Sequence, residues 1–303
     1  MRVHVRVPAS SANLGPGFDA LGLALALYNE VVAEPADHVR VTIEGEGAGR
    51  LPEDARNLVA QGVRAAFEAA GRPFDGVALR CTNRIPLARG LGSSAAAWVA
   101  GLVAGNALLG GPLDDAALLA LGARAEGHPD NVAAALLGGL TVACAVPGGV
   151  RALRLPVPPR LRWVALVPEV ASSTAAARAV LPPAVPREDA VFNVQRVALL
   201  LAALQTDRHE ALAAALEDRL HEPYRRALFP WLPAVAAAAR AGGALGCVLS
   251  GAGPTVLAVL ADGDAVAVGR AMEAALHAAG VAGTARELAV DATGAVSRLD
   301  ARS

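Results

Sequence analysis

Residues Pro86–Ala97 read PLARGLGSSAAA, and this stretch restricts the chain more than any other. Gly90 and Gly92 let the backbone turn through positive φ and approach a ligand closely. Ser93 and Ser94 stand where a helix would begin. From Ala95 to Leu109 the chain is almost wholly apolar and free of proline, which predicts a buried helix. Upstream, Val77, Leu79 and Cys81 alternate with Ala78, Arg80 and Thr82, which predicts a strand. The unit is strand, glycine loop, helix. A helix start behind a glycine loop offers unpaired N–H groups and the positive end of a dipole, which suits phosphate.

Two common phosphate loops do not fit. A Walker-type loop needs lysine after its last glycine; here Ser93 follows Gly92, and the chain contains no lysine at all. Gly90-Leu-Gly92-Ser-Ser-Ala95 matches a dinucleotide fingerprint on paper, but the acidic strand end expected about twenty residues on is replaced by GGPLDD and a further helix. An ordinary turn with serine caps is the plain alternative, and the rest of the chain decides against it.

The absence of lysine also excludes a Schiff base, and with it pyridoxal chemistry. A net charge of −1 gives no electrostatic case for nucleic acid or a membrane surface. The 54% hydrophobic content with only 3% aromatics predicts a sizeable core of Ala, Val and Leu. Cys81, Cys144 and Cys247 lie scattered in apolar runs, as free thiols of a reducing compartment do. With a strand-like MRVHVRVP start in place of a signal peptide and no apolar run of membrane length, a cytoplasmic protein is expected.

In order, a strand over Val3–Val7 should stop at Pro8. The loop Asn13–Asp19 follows, then strands at Leu21–Tyr28 and around Val39–Ile43, and a helix capped by Asn57. Asp114 caps a helix to Ala125, and Thr141–Ala145 reads as a strand. PGGVRALRLPVPPR marks the expected division into residues 1–158 and 159–303. The second part reads as strand Leu161–Val167, helices at Ser173–Val180, Phe192–Leu204, His209–Leu220 and Pro233–Ala241, a pair of strands around SGAGPT, a helix Asp264–Ala279 and a last strand Thr284–Val290. That pattern predicts an α+β layer with helices on one face.

Four polar clusters interrupt the apolar chain: Ser11–Asp19, Arg89–Ser94, Glu126–Asn131 and Ser250–Thr255. Together they supply the parts of a phosphoryl-transfer site, which needs a phosphate cradle, a hard cation on oxygen ligands and groups that position the nucleophile. Ser94 and Glu126 offer oxygens to Mg²⁺. Asp130 and Asn131, on a turn set by Pro129, can orient an attacking hydroxyl. Asp130 can equally be a base or a positioning group, since a loose transition state needs no early deprotonation.

ANLGPGFD, PLARGLGSSAA, EGHPDNVAAA and SGAGPT resemble the motifs of the GHMP small-molecule kinases, and STAAARAVLP and HEPYRRALFP resemble segments of the homoserine kinase branch. The one departure is Ala134, where that branch carries proline. The resemblance covers Ala9 to about Ala295. It implies an N-terminal domain with a left-handed β-α-β unit and a ferredoxin-like C-terminal domain, usually in a homodimer. It implies ATP-dependent phosphorylation of L-homoserine, with Mg²⁺ on Ser94 and Glu126. ATP would lie over Pro86, Leu87, Ala88, Arg89, Gly90, Leu91, Gly92, Ser93, Ser94, Ala95 and Ala96, with Asn57. Asn13, Asp19, Asn131, Arg178 and Arg225 would contact the amino acid, and a zwitterion does want both a carboxylate and a guanidinium. Other GHMP kinases and a non-catalytic sensor of the same fold are the competing readings; several of the former use a lysine this chain lacks.

Overall fold

The computed structural model describes residues 1–300. The first part builds β1 (Val3–Ala12), β2 (Leu21–Pro35), β3 (Arg40–Gly45), α1 (Leu58–Ala69), β4 (Val77–Asn83), α2 (Ser93–Leu108), α3 (Asp115–Glu126), α4 (Asp130–Leu137), β5 (Leu140–Val146) and β6 (Gly149–Leu155). β3 and β4 are parallel and joined through α1; the other pairs of this sheet are antiparallel. Asn57 caps α1 through its side-chain oxygen, a bond worth about 1 kcal/mol. α2 is buried on nearly all sides, against α1, β1 and α3, which explains its unbroken apolar run.

Two expectations fail here for local reasons. β1 does not stop at Pro8, because the register shifts there: Pro8 pairs with Tyr28 and Ala9 with Leu25. Ala26 and Leu27 bulge out of β2 opposite the proline, and Ala26 N–H donates instead to Ala289 O. The glycine- and proline-rich stretch after β5 holds a further strand, β6, whose half-exposed residues carry no clear alternation.

The second part builds β7 (Arg162–Pro168), α5 (Thr174–Ala179), α6 (Arg187–Thr206), α7 (Leu212–Ala215), α8 (Glu222–Arg225), α9 (Leu232–Ala241), β8 (Gly246–Leu249), β9 (Val256–Leu260), α10 (Ala265–Ala278) and β10 (Gly283–Leu288). The antiparallel order β10-β7-β9-β8 is ferredoxin-like. On β7, Val164 and Leu166 face the cluster under α9 and α10, whereas Trp163 and Ala165 face the main core, so the strand is apolar from Trp163 onward. The expected helix His209–Leu220 is only a 3₁₀ turn and the short α7. The chain must leave the helix so that the Asp218 carboxylate can accept from the backbone N–H groups of Leu220, His221 and Glu222, which starts α8. Finally β11 (Val296–Leu299), not expected from the sequence, returns to the first sheet and pairs with β1. The first sheet thus contains both the first and the last strand of the chain.

Candidate active site

The phosphate loop is a backbone feature clamped from behind. Gly92 caps α2 at φ 68° with no side-chain cap. The first backbone bond inside α2 runs from Ala96 N–H to Gly92 O, so the N–H groups of Ser93, Ser94 and Ala95 have no acceptor within the helix. The side chains of Leu91, Ala95 and Ala96 are buried and anchor the loop in the core. A Cβ on Gly90 would stand 2.3 Å from Ser250 O, and one on Gly92 2.0 Å from Ser10 Oγ. Ser250 Oγ donates to Gly90 O at 2.6 Å, and Thr255 N–H donates to Arg89 O at 3.1 Å. The C-terminal loop SGAGPT therefore braces the phosphate loop. The Arg89 guanidinium donates to Leu87 O and Glu169 O.

Beside this loop lies an apolar cavity of about 360 Å³, walled by Leu51, Pro52, Asn57, Cys81, Leu87 and Ala97 and reaching Ser93 and Ser94. Asn57 shapes it by donating to Pro52 O at 2.8 Å while capping α1. Burial pushes the Cys81 thiol up to about 12, so this sulfur stays protonated. Ser94 Oγ donates to Glu126 Oε1 at 2.5 Å, which sets a hydroxyl and a carboxylate side by side at the mouth of α2. Among the described residues no group of three or more His, Cys, Asp or Glu side chains gathers to hold a metal. The pair suits Mg²⁺, which takes one or two protein ligands and completes its shell with phosphate and water.

Hydrogen bonds link several of the remaining predicted residues: Asn13 and Arg225 both donate to Gly251 O, Asn13 holds Asp19, and Asp19 pairs with Arg178. Asn131 stands at the start of α4, and its Oδ1 accepts from the buried Ser10 Oγ at 2.9 Å, so its amide N–H₂ is directed outward. Asp130 is 2% exposed; its Oδ1 accepts from Asn131 N–H at 2.7 Å and contacts His128 Nδ1 at 2.9 Å. That hydrogen bond to Asp130 raises the His128 pKa. Asn13, at φ 72°, donates to Gly251 O and accepts from Asp19 N–H, which fixes Asp19 at φ 56°. Asp19 accepts two bonds from Arg178, at 2.7 and 3.1 Å. Arg225 is 2% exposed, with Nε donating to Ala177 O and Nη1 to Gly251 O and His221 Nδ1. Its Nη2 has no partner among the described residues. Desolvation lowers the Arg225 pKa to about 10, which still leaves a cation at neutral pH.

The family models for the GHMP kinases N terminal domain and the GHMP kinases C terminal match residues 57–139 and 200–278. A homoserine kinase of Moorella thermoacetica is 48% identical over 292 residues, covering 96% of this chain and 98% of its own length. The chain belongs to the GHMP kinase family, in its homoserine kinase branch. A crystal structure of homoserine kinase from Cytophaga hutchinsonii matches with a TM-score of 0.90 at 33% identity, covering 98% of this chain and 97% of that one. L. major mevalonate kinase, solved in complex with R-mevalonate, shares the fold at 17% identity and a TM-score of 0.66. As a GHMP kinase, the chain is a phosphotransferase with ATP as co-substrate.

Sequence reasoning missed several supports of this GHMP kinase site. Ser10 acts through one hydroxyl and nothing local marks it, although it adjoins the Ser11–Asp19 cluster; Ser250 heads the SGAGPT motif, but nothing local shows that its hydroxyl braces Gly90 O. Leu51 and Pro52 enter the apolar cavity beside the phosphate loop from a loop with no phosphate signature.

Proposed function

We propose that the chain transfers the γ-phosphoryl group of ATP to the side-chain hydroxyl of L-homoserine, giving O-phospho-L-homoserine and ADP. The observation that carries this reading is the pairing of an α2 mouth open to phosphate with a pocket holding Asp19, Arg178 and the free Nη2 of Arg225. An amino-acid zwitterion needs that combination; mevalonate or a sugar does not. The substrate ammonium joins Asp19, and the α-carboxylate takes Arg225 Nη2 together with Arg178.

Asn131, held by Ser10, donates from its amide to the acceptor hydroxyl oxygen and aims it at the γ-phosphorus. Asp130 keeps Asn131 in place through the backbone bond, a positioning role that suffices where the transition state is loose. The N–H groups of Ser93, Ser94 and Ala95 receive the phosphates, and Ser94 and Glu126 would hold Mg²⁺, which would supply positive charge to offset that of the phosphates.

A homodimer and a cytoplasmic location belong to the same reading. The first is supported by the exposed apolar residues Val191 and Val194 on α6, the second by the three free cysteines. A coupled assay of ADP release against L-homoserine, mevalonate, galactose and shikimate tests the proposal. Turnover with L-homoserine is expected; turnover with mevalonate or a sugar but not L-homoserine overturns it.

A further inference from the structure

His221 is fully buried between the two halves of the acceptor pocket, and its ring makes a polar contact on each side. Nε2 lies 2.8 Å from Gly15 O, in the loop that carries Asn13 and Asp19. A carbonyl can only accept, so Nε2 bears the proton. Nδ1 lies 2.9 Å from Arg225 Nη1. A guanidinium can only donate, so Nδ1 offers its lone pair. The two contacts together admit a single state of the ring, the neutral Nε2–H tautomer. The ring face stacks on Phe18 with centroids 5.2 Å apart and planes at 21°. The guanidinium carbons of Arg178 and Arg225 stand 5.6 and 5.4 Å from the centroid of that same Phe18 ring.

We infer that His221 is a positioning residue of the acceptor site: as a neutral imidazole it fixes Arg225 on one side and the Gly15–Asp19 loop on the other, and so sets the spacing between guanidinium and carboxylate that a zwitterion must match. The inference rests on the acceptor pocket proposed above. Its geometric core is the donor count at Arg225. Three of the five N–H groups are taken by Ala177 O, Gly251 O and His221 Nδ1, which leaves the two on Nη2 for a ligand. Without the bond to His221, the fork would be held by Ala177 O and Gly251 O alone, with one N–H on Nη1 left without its acceptor.

The surrounding charges work in both directions. Asp218 Oδ2 lies 3.6 Å from Nε2, and Asp19 acts from beyond Phe18; both favour an imidazolium. Arg225 opposes it, and burial lowers the His221 pKa most of all. Glu222, the next residue, turns its carboxyl to Leu249 N–H on β8.

Two substitutions separate the two contacts. The amide of His221→Asn spans the place of Nδ1 and can accept from Arg225 but cannot reach Gly15. The amide of His221→Gln spans the place of Nε2 and can donate to Gly15 O but leaves Arg225 without its acceptor. Steady-state kinetics should give a KM for L-homoserine raised about tenfold or more in His221→Gln, the loss of a charge-assisted bond, and within about threefold of the parent in His221→Asn. KM for ATP should stay the same in both. Equal effects of the two variants on L-homoserine, or equal losses for ATP and L-homoserine, would overturn the inference. The ¹⁵N spectrum of the His221 ring in the unaltered protein is a readout that needs neither folding of a variant nor turnover. It should show the neutral Nε2–H tautomer from pH 6 to 8; the Nδ1–H tautomer or an imidazolium there would also overturn the inference. Failure of the parent protein to turn over L-homoserine would instead overturn the proposed function and leave the tautomer result standing.

Discussion

Asp19, in the loop after β1, and Arg178, on α5, are joined by two hydrogen bonds of 2.7 and 3.1 Å. Each is more than one-third exposed, so the pair is worth little to stability. Its significance is functional. In the proposed acceptor site a substrate ammonium would replace Arg178 at this carboxylate, and Arg178 would then share the substrate carboxylate.

Asp19→Asn should therefore act on the acceptor alone. It keeps the shape and removes the charge-assisted part of the bond, roughly 1.5–3 kcal/mol, or about ten- to a hundredfold in kcat/KM for L-homoserine. Nucleotide affinity measured without L-homoserine should barely change. Equal losses for both substrates, or an unchanged response to L-homoserine, would take Asp19 out of the pocket.

Glu126→Gln keeps the bond to Ser94 Oγ but removes the charge beside it. The rate should fall by at least about a hundredfold, and the Mg²⁺ concentration needed for half-maximal rate should rise. Near-parental turnover across a Mg²⁺ titration would move the metal ligand elsewhere.

The parts of this site that lie in one short segment were legible in the sequence. Gly90–Ser94 and the apolar run behind it specify a loop and a buried helix by local rules alone, and Asn57 and Asp114 are the caps they were expected to be. What escaped depends on contacts distant in the chain. β6 and β11 are short and half exposed, so they carry no alternation; they exist because β5 and β1 present open edges. α8 starts only because Asp218 gathers three backbone N–H groups, at the expense of the helix expected through Leu220. Arg225 was singled out only by resemblance, because its burial and its bonds to Ala177 O and Gly251 O come from segments distant in the chain, even though its tie to His221 is local.

Ser10→Ala tests the orientation of Asn131. The variant leaves the Asn131 amide free to rotate while deleting only one buried hydroxyl. A net hydrogen bond of about 0.5–1.5 kcal/mol predicts a fall of about two- to tenfold in kcat, with KM for ATP unaltered. A parental kcat would mean that other contacts hold the amide.

Glu222 gives a prediction about pH and stability. Its carboxyl accepts from Leu249 N–H on β8, and burial raises its pKa to about 8, far above its ordinary value near 4.5. In the folded chain it therefore holds a proton that the unfolded chain releases between about pH 4.5 and 8. The folded state binds more protons over that window, so this group makes stability fall as pH rises through it. Glu222→Gln keeps an oxygen for Leu249 N–H and has no charge to desolvate. The Tm of the variant should match the parent near pH 4.5 and exceed it increasingly up to about pH 8, by several degrees at about 2–4 °C per kcal/mol for domains of this size. His221 has its pKa lowered by burial, so its contribution has the opposite sign: stability present above about pH 6.5 is lost as pH falls. That term is common to both proteins and cancels in the difference. Thermal unfolding of the pair from pH 4.5 to 9 gives the comparison directly, and a Tm difference that is flat with pH, or that shrinks as pH rises, would show that Glu222 is ionised in the fold.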